Sequence, residues 1–333
     1  MRAWVYPVNA MNDNRETSGA RIVETAVGAD SDGMRIDAFL ARRFTYLSRS
    51  AWQSEIREGK ILLNGNGPGS PHRQVCAGDV VRFAGRELEE PAVDERIEIL
   101  YEDEWLVALS KSGNMPVHPS GRYFNNTLVR IMERRMGCRL LPVHRLDRET
   151  SGVLLLAKDS LTASRIQKNF SRVSKSYVAI VHGVVGARRF EVDVPIGYDP
   201  SSKINKKRLA WSEAPEQAFT AFRTLFSFGG YSLVRAYPRT GRLHQIRVHL
   251  RHAGYPIVGD KMYGKDPAFY LRFITGGMTG ELARELEMPR SALHSRTLKF
   301  FHPHEKRTMY IKAPLPDDIR EFIKERSMRC RNR

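Results

Sequence analysis

The sequence predicts a mixed α and β fold arranged as two folded parts, and three observations carry that reading. Near the start, apolar residues recur at helical spacing, with Ile36, Phe39, Leu40 and Phe44 at i, i+3, i+4 and i+8. Elsewhere they form short unbroken runs, such as Val153-Leu154-Leu155-Leu156-Ala157, that suit strands buried on both faces. Between the two patterns lies a polar linker at 85–95, including Glu87-Leu88-Glu89-Glu90-Pro91, and a chain of 333 residues has room for about two domains.

Composition narrows the class. A hydrophobic content of 41% sustains a core, and no stretch approaches the ~18 apolar residues of a membrane span. No long apolar run of a secretory signal opens the chain. Cys76, Cys138 and Cys330 are odd in number and far apart, so they make neither a disulfide framework nor a zinc ligand set. A reducing cytoplasm is the expected home. Lys and Arg number 54 against 37 Asp and Glu, a net charge of +17. Such an excess attracts polyanions, of which nucleic acid is the common one. The basic residues are interleaved with apolar periodicity throughout, which argues for a folded basic surface rather than a tail. No basic amphipathic helix with an aromatic face points to a membrane partner.

Residues 1–33 read as a leader, partly flexible, with β character at 21–27. From 34 to 84 the pattern is that of a small domain. The stripe from Ile36 leaves Arg35, Arg42 and Arg43 off its apolar face. Ser48 is placed to cap a second helix carrying Trp52 and Ile56, which Gly59 ends. A strand at 60–63 turns at Asn64-Gly65, and Gly78-Asp79 leads into a strand at 80–83. These elements resemble the S4 RNA-binding module through Arg35-Ile36-Asp37, Phe39-Leu40, Ser48-Arg49, Gly59-Lys60-Ile61, Leu63-Asn64-Gly65 and Gly78-Asp79-Val80. The glycine-rich 65–69 stretch is looser than that module's pattern. The resemblance implies RNA contacts from Arg35, Arg42, Arg43, Arg49 and Lys60.

The second part spans 96–333. It opens with a strand, turn and strand over 97–109, then Pro116-Val117-His118-Pro119, then a helix bearing Leu128, Ile131 and Met132. After the apolar run ending at Lys158, Ser160 is the expected cap of a helix through Phe170. Residues 175–183 read as a central strand, with Tyr177 on one face beside Ala179 and Val181; from pattern alone it is a core aromatic. A polar stretch at 198–216, with Lys203, Lys206, Lys207 and Arg208, reads as an exposed loop able to touch phosphates. A strand at 231–237 leads to 240–254, where Leu243, Ile246, Leu250 and Ala253 define a buried helical face and His244, Arg247 and Arg251 a basic one. Thr240 would cap this helix and Gly254 end it. His244, His249 and His252 do not converge on one face, so no metal site is expected. An insertion at 266–290 carries one short helix near 281–287. A strand at 292–303, a helix near 317–324 and a basic tail close the chain.

The chemistry concentrates in His144-Arg145-Leu146-Asp147-Arg148-Glu149-Thr150-Ser151-Gly152, a loop running into the buried strand. A carboxylate on a loop fixed by a rigid strand suits catalysis, because the scaffold sets its position while the loop gives access. On composition alone, Asp147 could equally cap a turn or pair with Arg145 or Arg148. The fifteen-residue run from His144 to Lys158 is similar to the signature of the RluA-type pseudouridine synthases, which isomerise uridine in structured RNA. Thr240-Gly241-Arg242-Leu243-His244-Gln245-Ile246-Arg247 and Gly259-Asp260 with Tyr263-Gly264 extend the likeness, which covers about 34–84 and 97–313. One departure is Ser112 after Lys111, where the family usually has proline.

The resemblance implies an α+β catalytic domain on a mixed, mostly antiparallel sheet with the cleft across one face. It implies that Asp147 is the catalytic residue, that Tyr177 stacks on the flipped uracil and acts as or positions the last base, and that Arg247 pairs with Asp147. Arg242 is read as a phosphate contact at a helix start, and Arg145, Arg148 and His244 as further RNA contacts. Turning uridine into pseudouridine oxidises nothing, so no cofactor is expected, and none of the nucleotide-binding glycine motifs is present. The expected partner is RNA, with large-subunit ribosomal RNA favoured over transfer RNA, and the expected state a monomer. Alternatives are a non-catalytic RNA-binding or ribosome-assembly factor of the same fold, and a nucleoside hydrolase or RNA glycosylase.

Overall fold

The computed structural model describes residues 21–331 except 45–46, 86–89, 121–122, 203, 205 and 267. The 1–20 leader, most of the acidic run and Lys203 therefore lie outside the described residues. Two compact units divide the chain, one of residues 1–92 with 119–125 and one of 93–118 with 126–333.

The small unit runs β1 (Arg21–Ala26), α1 (Ile36–Arg43), α2 (Arg49–Arg57), β2 (Ile61–Leu63) and β3 (Val80–Gly85), its antiparallel sheet ordered β1-β3-β2. The sheet thus takes in a strand that the sequence reading put in the leader, because the alternate residues Val23, Thr25 and Val27 turn toward the core. Ser48 caps α2 by accepting the Ala51 amide at 3.2 Å, and Leu63 and Asn66 exchange backbone hydrogen bonds around Asn64-Gly65. The expected stripe of α1 is buried with Trp52, Ile56, Val81 and Phe83, and the Trp52 and Phe83 rings meet edge-on at 5.1 Å.

The large unit continues with β4 (Glu98–Glu102), β5 (Leu106–Lys111), α3 (Leu128–Met136), β6 (Leu141–Pro142), β7 (Ser151–Ala157), α4 (Ser160–Lys168) and β8 (Ser174–His182). Next come β9 (Arg189–Asp193), β10 (Ile196–Tyr198), β11 (Arg208–Ala210), β12 (Phe219–Phe228), β13 (Tyr231–Pro238) and α5 (Gln245–His252). It ends with α6 (Phe269–Gly276), α7 (Gly280–Leu286), β14 (Leu293–Phe301), β15 (Thr308–Lys312) and α8 (Asp317–Arg331).

Ten of these strands form one sheet in the order β4-β5-β7-β14-β8-β13-β12-β9, with β15 beside β14 and β6 beside β7. All pairs are antiparallel except β7 with β14, which runs parallel at His294↔Ser151 and Ser295↔Gly152. This is the α+β architecture on a mixed, mostly antiparallel sheet. All seven residues of β7 are buried, as an apolar run between two neighbours requires. The parallel seam depends on Gly152: its φ is +104°, and a Cβ there would lie 2.1 Å from the Ser295 carbonyl oxygen. Through this seam the loop ending in β7 comes beside β14 and β8.

Five local expectations change. Asp159, one residue before Ser160, caps α4 by accepting the Thr162 amide at 2.8 Å. Residues 240–244 are a loop, and α5 starts at Gln245 with His244 left-handed at φ 59°. The cause is the buried Gln245 side chain: its carbonyl accepts the Thr240 hydroxyl at 2.7 Å and the Arg242 amide at 3.0 Å, while its NH2 donates to Phe219 O at 2.9 Å. Part of the 198–216 stretch forms the small hairpin β10–β11. The insertion holds two helices, α6 and α7, and α8 runs on to Arg331. Among the described residues no helix is long and apolar enough to cross a membrane.

Candidate active site

The loop between β6 and β7 is held from both ends. Leu146 is buried in the main core, and His144 Nε2 accepts the Leu155 amide at 3.0 Å. Thr150 N–H closes a turn onto Asp147 O at 3.1 Å. Below the loop the buried Lys111 ammonium donates to three carbonyls, those of Ser112 (2.8 Å), Met115 (2.9 Å) and Arg148 (3.0 Å). Glu149 is gripped by Lys261 Nζ at 2.7 Å and by the Ser291 amide at 3.0 Å. With its neighbours fixed this way, Asp147 cannot drift, yet 22% of its side chain stays accessible. It is therefore not walled off from solvent.

Arg247, from the first turn of α5, reaches Asp147. Its Nη1 donates to Asp147 Oδ2 at 2.9 Å, although the two residues stand a hundred positions apart. The rest of the guanidinium is taken by Asp260, a fully buried carboxylate, with Nε donating to Oδ2 at 2.6 Å and Nη2 to Oδ1 at 2.9 Å. Asp260 also accepts the amides of Met262 and Tyr263, and Tyr263 lies under the Arg247 cation at 4.9 Å. Arg247 is therefore fixed by a bidentate fork, which leaves Nη1 to donate to Asp147. Sequence reasoning gave Asp260 no role; its signal was present only as a carboxylate inside the second motif.

Burial alone would raise the Asp147 pKa. The opposing charges of His244 and Arg247 outweigh it and hold the carboxyl below the usual range. His244 is itself pushed down to about 4, by burial first and the Arg247 charge second. At neutral pH it is uncharged, so the cations that then keep Asp147 ionised are Arg247, bonded to it, and the more distant Arg145.

Tyr177 sits on β8 in register with Ser295 of β14 and Ala236 of β13. Burial pushes its hydroxyl up to about 12, with the Ser295 side chain pulling the other way and the Asp147 charge adding to the rise. A phenol held that high is protonated at neutral pH, so it offers a proton rather than taking one. Tyr177 is thus a buried aromatic, as its pattern predicts, whose hydroxyl feels the Asp147 charge.

Residues 105–252, the segment that contains Asp147, Tyr177 and Arg247, match the RNA pseudouridylate synthase family. Ribosomal large subunit pseudouridine synthase D of Neisseria meningitidis is 31% identical over 327 residues, covering 94% of this chain and 85% of its own. The protein of the same name from Xylella fastidiosa is 33% identical over 310 residues, covering 90% and 91%. The chain belongs to the RluA-type RNA pseudouridine synthases. The solved structure of human RNA Pseudouridylate Synthase Domain Containing 4 agrees with a TM-score of 0.53 at 29% identity, covering 68% of this chain and 91% of that one. As a pseudouridine synthase the enzyme is an isomerase acting on RNA.

The other anticipated positions divide. Arg145 is exposed beside Asp147, and its charge is felt there. Arg148 turns elsewhere, with its guanidinium 3.3 Å from Glu149 and over the Phe273 ring at 5.7 Å. Arg242 is exposed three residues before α5, not at its first amides, and its Nε donates to Gln217 O at 3.0 Å. His249 is a core histidine bound to Thr220 and Val194, and no cluster of His, Cys, Asp or Glu suited to a metal occurs among the described residues. On the small unit, Arg35 and Arg49 clamp the buried Asp37 at 2.8 and 3.1 Å. Arg42 pairs with Asp30 at 3.2 Å, and Lys60 with Glu55 at 3.5 Å and with Glu58. Arg43 is exposed and forms no ion pair among the described residues.

His244 proves more than a surface contact. Its Nδ1 is 2.9 Å from the Tyr263 hydroxyl, which also accepts the Arg208 amide at 2.8 Å. With one lone pair taken by that amide, the hydroxyl is free to donate a hydrogen bond to Nδ1, which leaves the neutral ring's own hydrogen on Nε2. Nε2 lies 3.9 Å from Asp147 Oδ2. Tyr263→Phe releases the ring and strands the Arg208 amide. The expected cost is about 1–3 kcal/mol of stability and roughly a fivefold loss of kcat. Thermal denaturation and nitrogen NMR of the His244 ring check it, and an unmoved ring signal would sink the tautomer assignment.

Proposed function

We propose that this enzyme converts specific uridines of large-subunit ribosomal RNA to pseudouridine by an aspartate-dependent route. The observation that supports it best is the 2.9 Å contact between Arg247 and a partly accessible Asp147 inside the family signature. The ribosomal target is carried over from relatives that are named for the large ribosomal subunit.

The reaction breaks N1–C1′, turns the uracil over and makes C5–C1′, after which C5 gives up its proton and N1 carries one. Asp147 acts on the ribose, either by bonding to C1′ or by taking the C2′ proton, and both routes need the ionised carboxylate. Arg247 keeps that charge when RNA displaces water from the site. Tyr177 stacks on the extruded uracil, holds it through the turn and places the group that receives the C5 proton. Extruding the nucleotide costs a few kcal/mol of stacking. Arg145 and Arg242 help offset it around the cleft, and so does an S4-like module at 34–84 through Arg35, Arg42, Arg43, Arg49 and Lys60. With β1 in its sheet the small module takes in residues 21–84; 85–95 then form a linker and 96–333 the catalytic domain of a cytoplasmic monomer.

Pseudouridine mapping across cellular RNA, with and without the protein, tests the target. One or a few large-subunit ribosomal uridines should lose the modification when it is removed. Losses confined to transfer RNA would move the target, and an unchanged map would favour a non-catalytic role.

A further inference from the structure

The large unit's sheet has a second charged face, behind the one that carries Tyr177. Successive strand residues point to opposite faces, so Arg235, paired with Val178, lies opposite in sense to Ala236, paired with Tyr177. On that rear face Arg223 of β12 stands directly across from Arg189 of β9 on one side and Arg235 of β13 on the other. Three arginines therefore line up over three neighbouring strands, about 10 Å from end to end at strand spacing. Beyond Val178 of β8, Arg296 at the β14 bulge adds a fourth guanidinium near enough for the Arg235 charge, after burial, to lower its pKa.

Like charges placed directly opposite on a sheet are destabilising, and among the described residues the row's one hydrogen bond is from Arg296 Nη1 to the Ala313 carbonyl oxygen. Arg189 and Arg223 are exposed, and among the described residues no carboxylate pairs with any of the four arginines. Arg235 Nε is buried and lacks a hydrogen-bond partner. Glu191 and Asp193 lie farther along β9 on the same face and form no ion pair with the row. Aromatic rings interleave with further cations alongside it. Tyr310, 62% exposed, stands across from Lys299, and Lys312 across from Thr297; Phe301 is 60% exposed two residues beyond Lys299, and Tyr237 is exposed two beyond Arg235.

We infer that this rear face is a second RNA-binding surface, which holds the phosphodiester backbone of substrate RNA away from the nucleotide in the cleft. The inference rests on RNA as substrate. Guanidinium groups match phosphate oxygens in pairs, and exposed rings give unpaired bases a platform without reading their sequence. An acidic protein would satisfy the charge but would leave three exposed rings unexplained, so RNA is favoured.

The test uses the full chain with two RNAs, a transcribed large-subunit ribosomal RNA and a short stem-loop cut around the modified uridine. Binding is measured over a series of salt concentrations for the wild type, for Arg189→Ala/Arg223→Ala and for Arg189→Lys/Arg223→Lys. Each lost phosphate contact should flatten the log–log salt slope by ~0.7–0.9. The alanine pair should therefore flatten it by roughly 1.5 on the long RNA and lower the long-to-short affinity ratio about tenfold. The lysine pair should restore most of the slope. An unchanged long-RNA slope would overturn the inference and hand the face to an acidic protein, and equal losses on both RNAs would overturn it as a fold defect. Wild-type turnover is scored separately, so failure of the substrate reading shows as absent pseudouridine rather than as an unaltered slope.

Discussion

Asp147→Asn should reduce pseudouridine formation by at least about a thousandfold while leaving the fold and RNA affinity nearly intact. The amide has the same shape, and its oxygen still accepts from Arg247 Nη1, the contact now at 2.9 Å. Arg247 keeps its bidentate fork on Asp260, so no buried cation is left without a counter-charge. What vanishes is the negative charge that must act on the ribose. Tritium release from RNA labelled at uridine C5 reads the loss, and a thermal melt run alongside reads the fold. Retention of more than about a tenth of wild-type turnover would remove Asp147 from the chemistry.

The pH dependence of the wild type follows from the same pair. The Asp147 carboxyl is held below its ordinary value, so it stays ionised as pH falls to about 5. Its attraction to Arg247 is fully present above the unfolded-state value of ~3.9 and is lost only as pH falls through the lower folded value. Turnover should therefore be flat on the acid side until below about pH 4. A descending limb centred near 6 would mean that another group, with His244 the first suspect, controls the reaction.

The parts of the site that were legible in the sequence are those whose spacing is local. The run from His144 to Lys158 is contiguous, so its loop and strand read directly, and β7 is buried at every position as such a run demands. Arg247 was visible because it shares a motif with the helix that presents it. Leu243 sits three residues before Ile246 and so extends an apolar helical rhythm, but the Gln245 side chain accepts the Thr240 hydroxyl and the Arg242 amide and the helix starts later. Hydrogen bonds of a buried amide leave no periodic trace. Asp260 was legible only as a letter in a motif, since its grip on Arg247 is a tertiary fact. The rear arginines were invisible for the same reason: positions 189, 223 and 235 meet only through strand register.

Arg247→Ala should be the most damaging single change, costing about 3–5 kcal/mol of stability together with the activity. It leaves two carboxylates, Asp147 and the fully buried Asp260, with no cation between them. Loss of activity in that variant is therefore ambiguous by itself, and two companions resolve it. Arg247→Lys keeps a positive charge but has one ammonium where three N–H groups now serve two carboxylates. It should recover most of the stability and still turn over RNA about a hundredfold more slowly. Arg247→Ala/Asp260→Ala removes the second buried charge as well, so it should be more stable than Arg247→Ala alone, a coupling that a double-mutant cycle measures. Activity should stay lost in the double variant, because no cation bonded to Asp147 then holds its charge beside the ribose. If turnover returned along with stability, Arg247 would be a structural clamp on Asp260, and the cation serving Asp147 would have to be sought at Arg145.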